Sequence, residues 1–327
     1  MDRKENHQMK AKIIGTGSYA PVHTMYNEDL SQLVETNDEW IQEHTGIKKR
    51  HISSEGTVQM AAKAANLALE NSGLTISDID MILVGTVTPD YNFPNTACQV
   101  QELIKATEIP CMDISAACSG FMFAMNTANA YIAAGIYKTI LVIGAETLSK
   151  IIDWEDRSTC ILFGDGAGVV VMQAADTGII ATEMGSDGSK GMVLYGSGAQ
   201  LKNPIVEKEW DGGKLHMDGS EVFKFAVRRI PETIYSTLKK ADRAIEEVDC
   251  FILHQANRRI IEAAARRLDL PIEKFPMNIE SYGNLAAASV PILLDELNRQ
   301  GRIKPGQLLM LSAFGAGLSW GSALIEW

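Results

Sequence analysis

The sequence predicts an α/β protein made of two related halves, and three observations carry that expectation. The chain has 327 residues. That is longer than one hydrophobic core usually grows, so two packed halves are expected. Short apolar runs of strand length alternate with longer segments of helical period, the pattern of a parallel or mixed sheet covered on both faces. The chain also repeats itself. "ISDIDMILVG" begins at Ile76 and "IEEVDCFILH" at Ile245, an offset of 245 − 76 = 169. "GIYKTILVIGA" begins at Gly135 and "GRIKPGQLLML" at Gly301, an offset of 301 − 135 = 166. Two near-equal offsets in the same order point to a duplicated unit divided near residue 174, with halves 1–174 and 175–327.

The elements follow in order. "AKIIG" from Ala11 reads as a buried strand. "TVQMAAKAANLALENSG" puts Met60, Ala61, Ala64, Leu67 and Ala68 on one helix face, with Gly73 as its stop. "DMILVG" from Asp80 is the next strand. No residue from Ile114 to Tyr137 is charged, but Ser115, Ser119, Asn126, Thr127 and Asn129 interrupt the stretch. A helix buried on every side fits it better than a membrane span. "ILVIGA" from Ile140 and "AGVVVM" from Ala167 read as strands. "SEVFKFAVRRIPETIYSTLKKA" reads as a helix with a kink or boundary near Pro231. "CFILH" from Cys250 is a strand, "PILLDELNRQGRI" a helix ended by Gly301, and "LLMLSAFG" from Leu308 a strand.

Two glycine motifs are discounted. "GTGSYA" at 15–20 fits a dinucleotide fingerprint, but Pro21 follows and the next helical pattern starts only near Asn27. Without a helix opening at the glycines it reads as a plain turn. "GDGAG" at 164–168 lacks a Lys-Ser/Thr partner and reads as a tight turn leading into a strand.

Composition narrows the function classes. Hydrophobic content of 46% and charged content of 22% describe an ordinary globular protein. A net charge of −11 and a pI near 5.1 argue against general affinity for nucleic acid or anionic membranes. A local basic patch stays open. The five cysteines, Cys98, Cys111, Cys118, Cys160 and Cys250, are odd in number and form no CxxC pair. A disulfide framework or zinc site is not expected, and a reducing cytoplasm is. "MDRKENHQMK" is followed by no apolar signal core.

Cys118, in "DISAACSGF", lies between a strand end and a buried helix. Free N–H groups and the macrodipole at such a helix start favour thiolate over thiol. His254 ends the run "CFIL", so the strand delivers its ring at the carboxyl edge of the sheet, where open α/β sheets bind ligands. The other histidines (His7, His23, His44, His51 and His216) sit in polar contexts. Asn284 lies in "YGNLAAASVP", a patch of small residues ahead of a helix. Taken singly, these three read equally as a core cysteine, a core histidine and a turn. Together they form a workable set: a thiolate attacks a carbonyl, and neutral His and Asn donate to an oxygen gaining charge. "SAFGAGLSWGSAL" turns through Gly315, Ala316 and Gly317 and can aim a backbone N–H at an oxyanion.

"GTGSYAP", "TNDEWI", "FPNTACQVQ", "AACSGF", "FGDGAG", "HQANRRI", "YGN…AAS" and "FGAGLSWGSAL", in this order and spacing, resemble β-ketoacyl-acyl carrier protein synthase III, from about residue 11 to the C-terminus. The resemblance implies a thiolase-like fold, two duplicated α/β halves in an αβαβα layered arrangement, in a cytosolic homodimer. It implies acyl-CoA and malonyl-acyl carrier protein as substrates and no metal or organic cofactor. Cys118 would take the acyl group; His254 and Asn284 would hold the malonyl thioester carbonyl; the N–H groups of Cys118 and Ala316 would form the oxyanion hole. Positions matching the CoA site are Trp40, Arg157, Gly219, Phe223, Asn257 and Arg259, with Trp40 and Arg157 able to sandwich the adenine. Phe93 matches a residue that reaches into the partner's acyl pocket, and Leu148 and Phe163 match pocket walls. An acidic carrier protein needs a basic face: Lys224, Arg228 and Arg229 share one predicted helix, and Arg258, Arg259, Arg266 and Arg267 another. The sequence departs from the family at Leu285-Ala286, where Thr-Ser is usual, and at His44, where an Arg is common.

Three rival readings stand beside this one. A papain-like peptidase also orders Cys, His and Asn, but its "CGSCW"-type signature is absent. A thiolase-superfamily synthase or acyltransferase of polyketide or secondary metabolism shares the motifs and differs in its acceptor. A non-catalytic acyl-binding protein would bind CoA esters without a covalent adduct.

Overall fold

The computed structural model describes residues 9–327, so His7 and the segment before Met9 lie outside it. The first sheet is built from β1 (Lys10–Tyr19), β2 (Met81–Gly85), β3 (Cys111–Ile114), β4 (Thr139–Thr147) and β5 (Asp165–Ala175), in the order β1-β5-β4-β2-β3. The second contains β6 (Ile179–Ser186), β7 (Cys250–Leu253), β8 (Leu308–Gly315) and β9 (Ser319–Glu326), in the order β7-β8-β9-β6. Directions match as well as order. β1, β5 and β4 pair antiparallel in sequence and β4 pairs β2 in parallel. In the second sheet β6, β9 and β8 pair antiparallel and β8 pairs β7 in parallel.

Every residue of β4 is buried, because both faces of its sheet are covered. Helices α2 (Thr57–Ser72) and α3 (Thr96–Leu103) cover the outer face. Helix α4 (Gly120–Ala133) and helix α7 (Ser289–Arg299) lie between the two sheets, and α5 (Gly219–Ala241) and α6 (Arg258–Leu268) cover the far side. Helix α1 (Asp38–Thr45) precedes them in the chain. Three apolar cores separate the five layers. The central one joins Phe121, Met122 and Met125 of α4 and Leu293, Leu294 and Leu297 of α7 to both sheets. This αβαβα arrangement is the one the family resemblance implied. The expectation of a helix buried on every side is corrected: α4 buries Phe121, Met122, Ala124, Met125, Ala128 and Ile132, but Ala130 is exposed and Asn126, Thr127 and Asn129 are half-buried.

The offset of 169 seen in the sequence recurs in the elements. Those starting at Ile76, Met81, Ala117, Gly120 and Thr139 have counterparts starting at Ile245, Cys250, Ala286, Ser289 and Leu308. The second offset, 166, arises because α4 has 14 residues and α7 has 11, and the following connection restores the difference.

Three local expectations are corrected. "GTGSY" is strand, not turn, because β1 runs through it beneath α2. A Cβ on Gly17 would sit 2.4 Å from the Ala68 nitrogen, so the glycines serve close packing. "DGAG" likewise belongs to β5, where a Cβ on Gly168 would meet the Ile292 nitrogen at 2.6 Å. Pro231 ends nothing: α5 runs through it as one helix of 23 residues, held by its packing on the second sheet. Among the described residues no helix is long and apolar enough to cross a membrane.

Candidate active site

The edges of both sheets converge on one cavity of about 750 Å³, lined by Cys118, His254, Asn284 and Ala316. Cys118 sits in a 3₁₀ turn, Ala117–Ser119, between β3 and α4, and is 8% exposed. Ala117 adopts φ +46°, an uncommon conformation for a residue with a Cβ. Ser119 Oγ is 2.7 Å from Ser319 Oγ, and Ser319 donates to the Ala316 carbonyl at 2.8 Å, tying the nucleophile turn to the 315–319 loop. A Cβ on Gly315 would lie 2.7 Å from the Cys118 nitrogen, so only glycine allows this approach.

His254 directly follows β7, and its backbone N–H donates to the Ser312 carbonyl at 2.8 Å. Its ring packs edge-on to Phe314, and Nδ1 lies 2.7 Å from Ser289 Oγ. Burial pushes the imidazole down to about 3, so it is neutral in the resting site. Asn284 is held at both backbone ends by the 162–164 segment: its N–H donates to the Leu162 carbonyl and its carbonyl accepts from Gly164. Its Oδ1 accepts the Ala286 N–H at 2.9 Å, which leaves Nδ2 as the donor available to the cavity.

The expectation of a thiolate at Cys118 is corrected. Burial, then the charge of Glu146, pushes the thiol up to about 12. Desolvation therefore outweighs the helix start and favours thiol over thiolate. Alkylation of Cys118 by iodoacetamide is expected to keep accelerating beyond about pH 9, as thiolate accumulates. A rate that levels off near neutrality would show that the helix start outweighs burial.

Sequence reasoning missed Glu146. It is fully buried at the end of β4 and accepts from the Thr86 and Thr88 hydroxyls and from the Val87 and Thr88 N–H groups. It anchors the 86–88 loop, of which Thr86 and Val87 line the cavity. A lone Glu inside an apolar strand run was the available signal.

The remaining positions divide. Trp40, Gly219, Phe223, Asn257, Leu148 and Phe163 line the cavity; Arg157, Arg259 and Phe93 do not. The space between Trp40 and Arg157, expected to take an adenine, is closed. The Arg157 guanidinium lies directly over the Trp40 ring at 4.9 Å, and His44 stacks on Trp40 at 4.2 Å. A base entering between Arg157 and Trp40 would have to part them. The Asn257 side chain caps α6 and donates to the His44 carbonyl. Phe93 is 86% exposed. Lys224 pairs with Glu221 at 2.8 Å, Arg228 and Arg229 with Glu232, and Arg229 also lies over Trp320. Arg259, Arg266 and Arg267 are exposed, with no ion pair among the described residues.

Two family models match the chain: 3-oxoacyl-[acyl-carrier-protein] synthase III over residues 112–188 and the C-terminal part of the same family over 238–327. A β-ketoacyl-[acyl-carrier-protein] synthase III of Natranaerobius thermophilus is 48% identical, covering 97% of this chain and 99% of the relative. One from Clostridium acetobutylicum is 46% identical, covering 97% and 98%. The solved 3-oxoacyl-[acyl-carrier-protein] synthase III from Aquifex aeolicus superposes with a TM-score of 0.92 at 45% identity, covering 97% of this chain and all of that one. The priming β-ketosynthase of the R1128 polyketide pathway superposes with 0.91 at 32% identity, covering 98% and 96%. With relatives this similar along nearly the whole chain, and with the cavity assembled from both halves, the protein belongs to the 3-oxoacyl-[acyl-carrier-protein] synthase III family.

Proposed function

We propose that the chain condenses a short acyl-CoA primer with malonyl-acyl carrier protein, losing carbon dioxide, and so starts fatty acid synthesis. The observation that carries this reading is the convergence of Cys118, His254, Asn284 and Ala316 on one cavity from opposite halves of the chain. In the first half-reaction the Cys118 sulfur attacks the acyl-CoA carbonyl. The N–H groups of Cys118 and Ala316 stabilise the oxyanion, and CoA leaves as a thiol that carries the Cys118 proton. In the second, His254 Nε2–H and Asn284 Nδ2–H donate to the malonyl thioester oxygen. The C–C bond to the carboxylate breaks, carbon dioxide leaves, and the electron pair forms an enolate. Its carbon attacks the acyl group on Cys118. The sulfur departs as thiolate and takes a proton from solvent. The largely apolar lining of the cavity disfavours water beside the enolate and so protects it from protonation.

The same reading places CoA against Trp40, Arg157, Gly219, Phe223 and Asn257, and the acyl chain against Leu148 and Phe163. Phe93 of one copy enters the partner's acyl pocket in a cytoplasmic homodimer; its exposure suits that role. The two domains are 1–174 and 175–327; the division falls at the end of β5, just before β6 begins the second sheet.

Intact-protein mass spectrometry after exposure to a panel of acyl-CoAs, with peptide mapping, tests the first half-reaction; product analysis with malonyl-carrier protein tests the second. No adduct on Cys118 would end the reading. Carrier docking is assigned to Arg259, Arg266 and Arg267, with Lys224 and Arg228 alongside. Arg259 matches a CoA position as well; its exposure on one helix with Arg266 and Arg267, without an ion pair among the described residues, suits docking. Arg259→Glu is expected to raise KM for malonyl-carrier protein about tenfold while acyl transfer from CoA changes far less. Equal effects on both half-reactions would reject the docking assignment.

A further inference from the structure

We infer that Ser289 is a positioning residue: its hydroxyl donates to His254 Nδ1 and holds the imidazole in the tautomer that carries its proton on Nε2, facing the cavity. The inference rests on the reading above only in assigning His254 a donor's task; the tautomer itself follows from the hydrogen bonds.

Ser289 Oγ has two partners, His254 Nδ1 at 2.7 Å and the Gln255 backbone nitrogen at 3.0 Å. The Gln255 N–H can only donate, so the hydroxyl oxygen accepts there. That leaves the hydroxyl hydrogen one acceptor, Nδ1. The opposite arrangement, with Nδ1 donating, would strand a hydroxyl hydrogen on a residue 2% exposed. An imidazole that accepts at Nδ1 and is neutral carries its proton on Nε2. Burial keeps the ring neutral.

The duplication makes this arrangement specific to one half. The offset of 169 maps Gly85 onto His254 and Gly120 onto Ser289, and the flanking elements start in step, β2 with β7 and α4 with α7. In the first half the two glycines meet so closely that a Cβ on Gly85 would lie 2.6 Å from the Gly120 carbonyl carbon. That contact has no room for chemistry. In the second half the same meeting of strand end and helix start holds an imidazole and a hydroxyl. Ser289 opens α7 and His254 directly follows β7, which fixes the ring more firmly than a long loop would. Phe314 packs edge-on to the ring and limits its rotation further.

Two variants and one spectrum test the inference. In wild-type enzyme with ¹⁵N-labelled histidine, the long-range proton–nitrogen spectrum is expected to show His254 with a protonated Nε2 and a bare Nδ1. Ser289→Ala should broaden or shift that pattern. It should lower kcat for condensation with malonyl-carrier protein by roughly 10- to 100-fold, less than the about 10²–10³ for a donor removed outright, with little change in KM. Acylation of Cys118 should stay within about threefold, because it uses the backbone donors. Ser289→Thr keeps the hydroxyl and should restore both the spectrum and most of the rate. A proton found on Nδ1 in wild-type enzyme would overturn the inference. So would a Ser289→Ala enzyme that keeps the tautomer, whether its two half-reactions are unchanged or slowed equally. Should wild-type enzyme show no condensation at all, the proposed function fails while the spectrum still decides the tautomer.

Discussion

Cys118→Ala is expected to abolish the acyl-enzyme and lower condensation by at least about 10⁴-fold, while malonyl-carrier protein is still decarboxylated. The size follows from the role: removing a nucleophile removes the covalent route, and catalytic groups acting as a unit fail together. The residual decarboxylation follows from the geometry. Alanine deletes only Sγ from a turn whose shape is set elsewhere, by the Ser119–Ser319 contact and the hydrogen bond from Ser319 to the Ala316 carbonyl. His254 and Asn284 hang from other elements, β7 and the 162–164 segment, and keep their donors in place. Carbon dioxide release measured separately from product formation distinguishes the two steps. A competing nucleophile is available for comparison: Cys160 is buried in the same apolar cluster, with its thiol pushed up to about 11 by burial. An adduct that survives Cys118→Ala and maps to Cys160 would refute the assignment.

The fold was readable where one period dominated. "ILVIGA" and "AGVVVM" are continuous apolar runs because their sheet is covered on both faces, and burial on both faces leaves a plain mark. The repeat was readable because strands β2 and β7 must pack alike. Glycine was the weak point. Gly15, Gly17, Gly166 and Gly168 look like turn residues in isolation, yet they are strand positions pressed against α2 and α7. A single sequence does not say whether a glycine is there for its backbone freedom or for its missing side chain. In the site, the chemistry-bearing types at element edges were legible: Cys118, His254 and Asn284 meet as their positions implied. Their protonation was not. The helix start ahead of α4 is visible in the letters, whereas the burial that pushes the thiol up to about 12 and the imidazole down to about 3 depends on how segments distant in sequence pack. Ser289 was unreadable for the same reason: its value lies in a partner 35 residues away in sequence.

Asn284→Asp is expected to lower condensation by more than the about 10²–10³ typical of one lost oxyanion donor, and by more than Asn284→Ala. The two side chains have the same shape, so the difference is electrical. Asn284 Oδ1 is committed to the Ala286 N–H, and a carboxylate oxygen would accept that bond equally well. The second oxygen would then replace Nδ2 and present negative charge where the enolate oxygen must form. Asn284→Ala removes the donor and leaves the Ala286 N–H unpaired, but adds no repulsion. The penalty should therefore fall on the decarboxylation and condensation steps, while acylation of Cys118 from CoA, which relies on the Cys118 and Ala316 N–H groups, changes little. Because a buried carboxyl tends to keep its proton, lowering the pH should recover part of the Asn284→Asp rate by turning the acceptor back into a donor, with no such recovery in Asn284→Ala. Measured rates of carbon dioxide release across pH for the two variants would separate lost donation from added repulsion. Equal, pH-independent losses in both would mean that Asn284 does not face the developing charge.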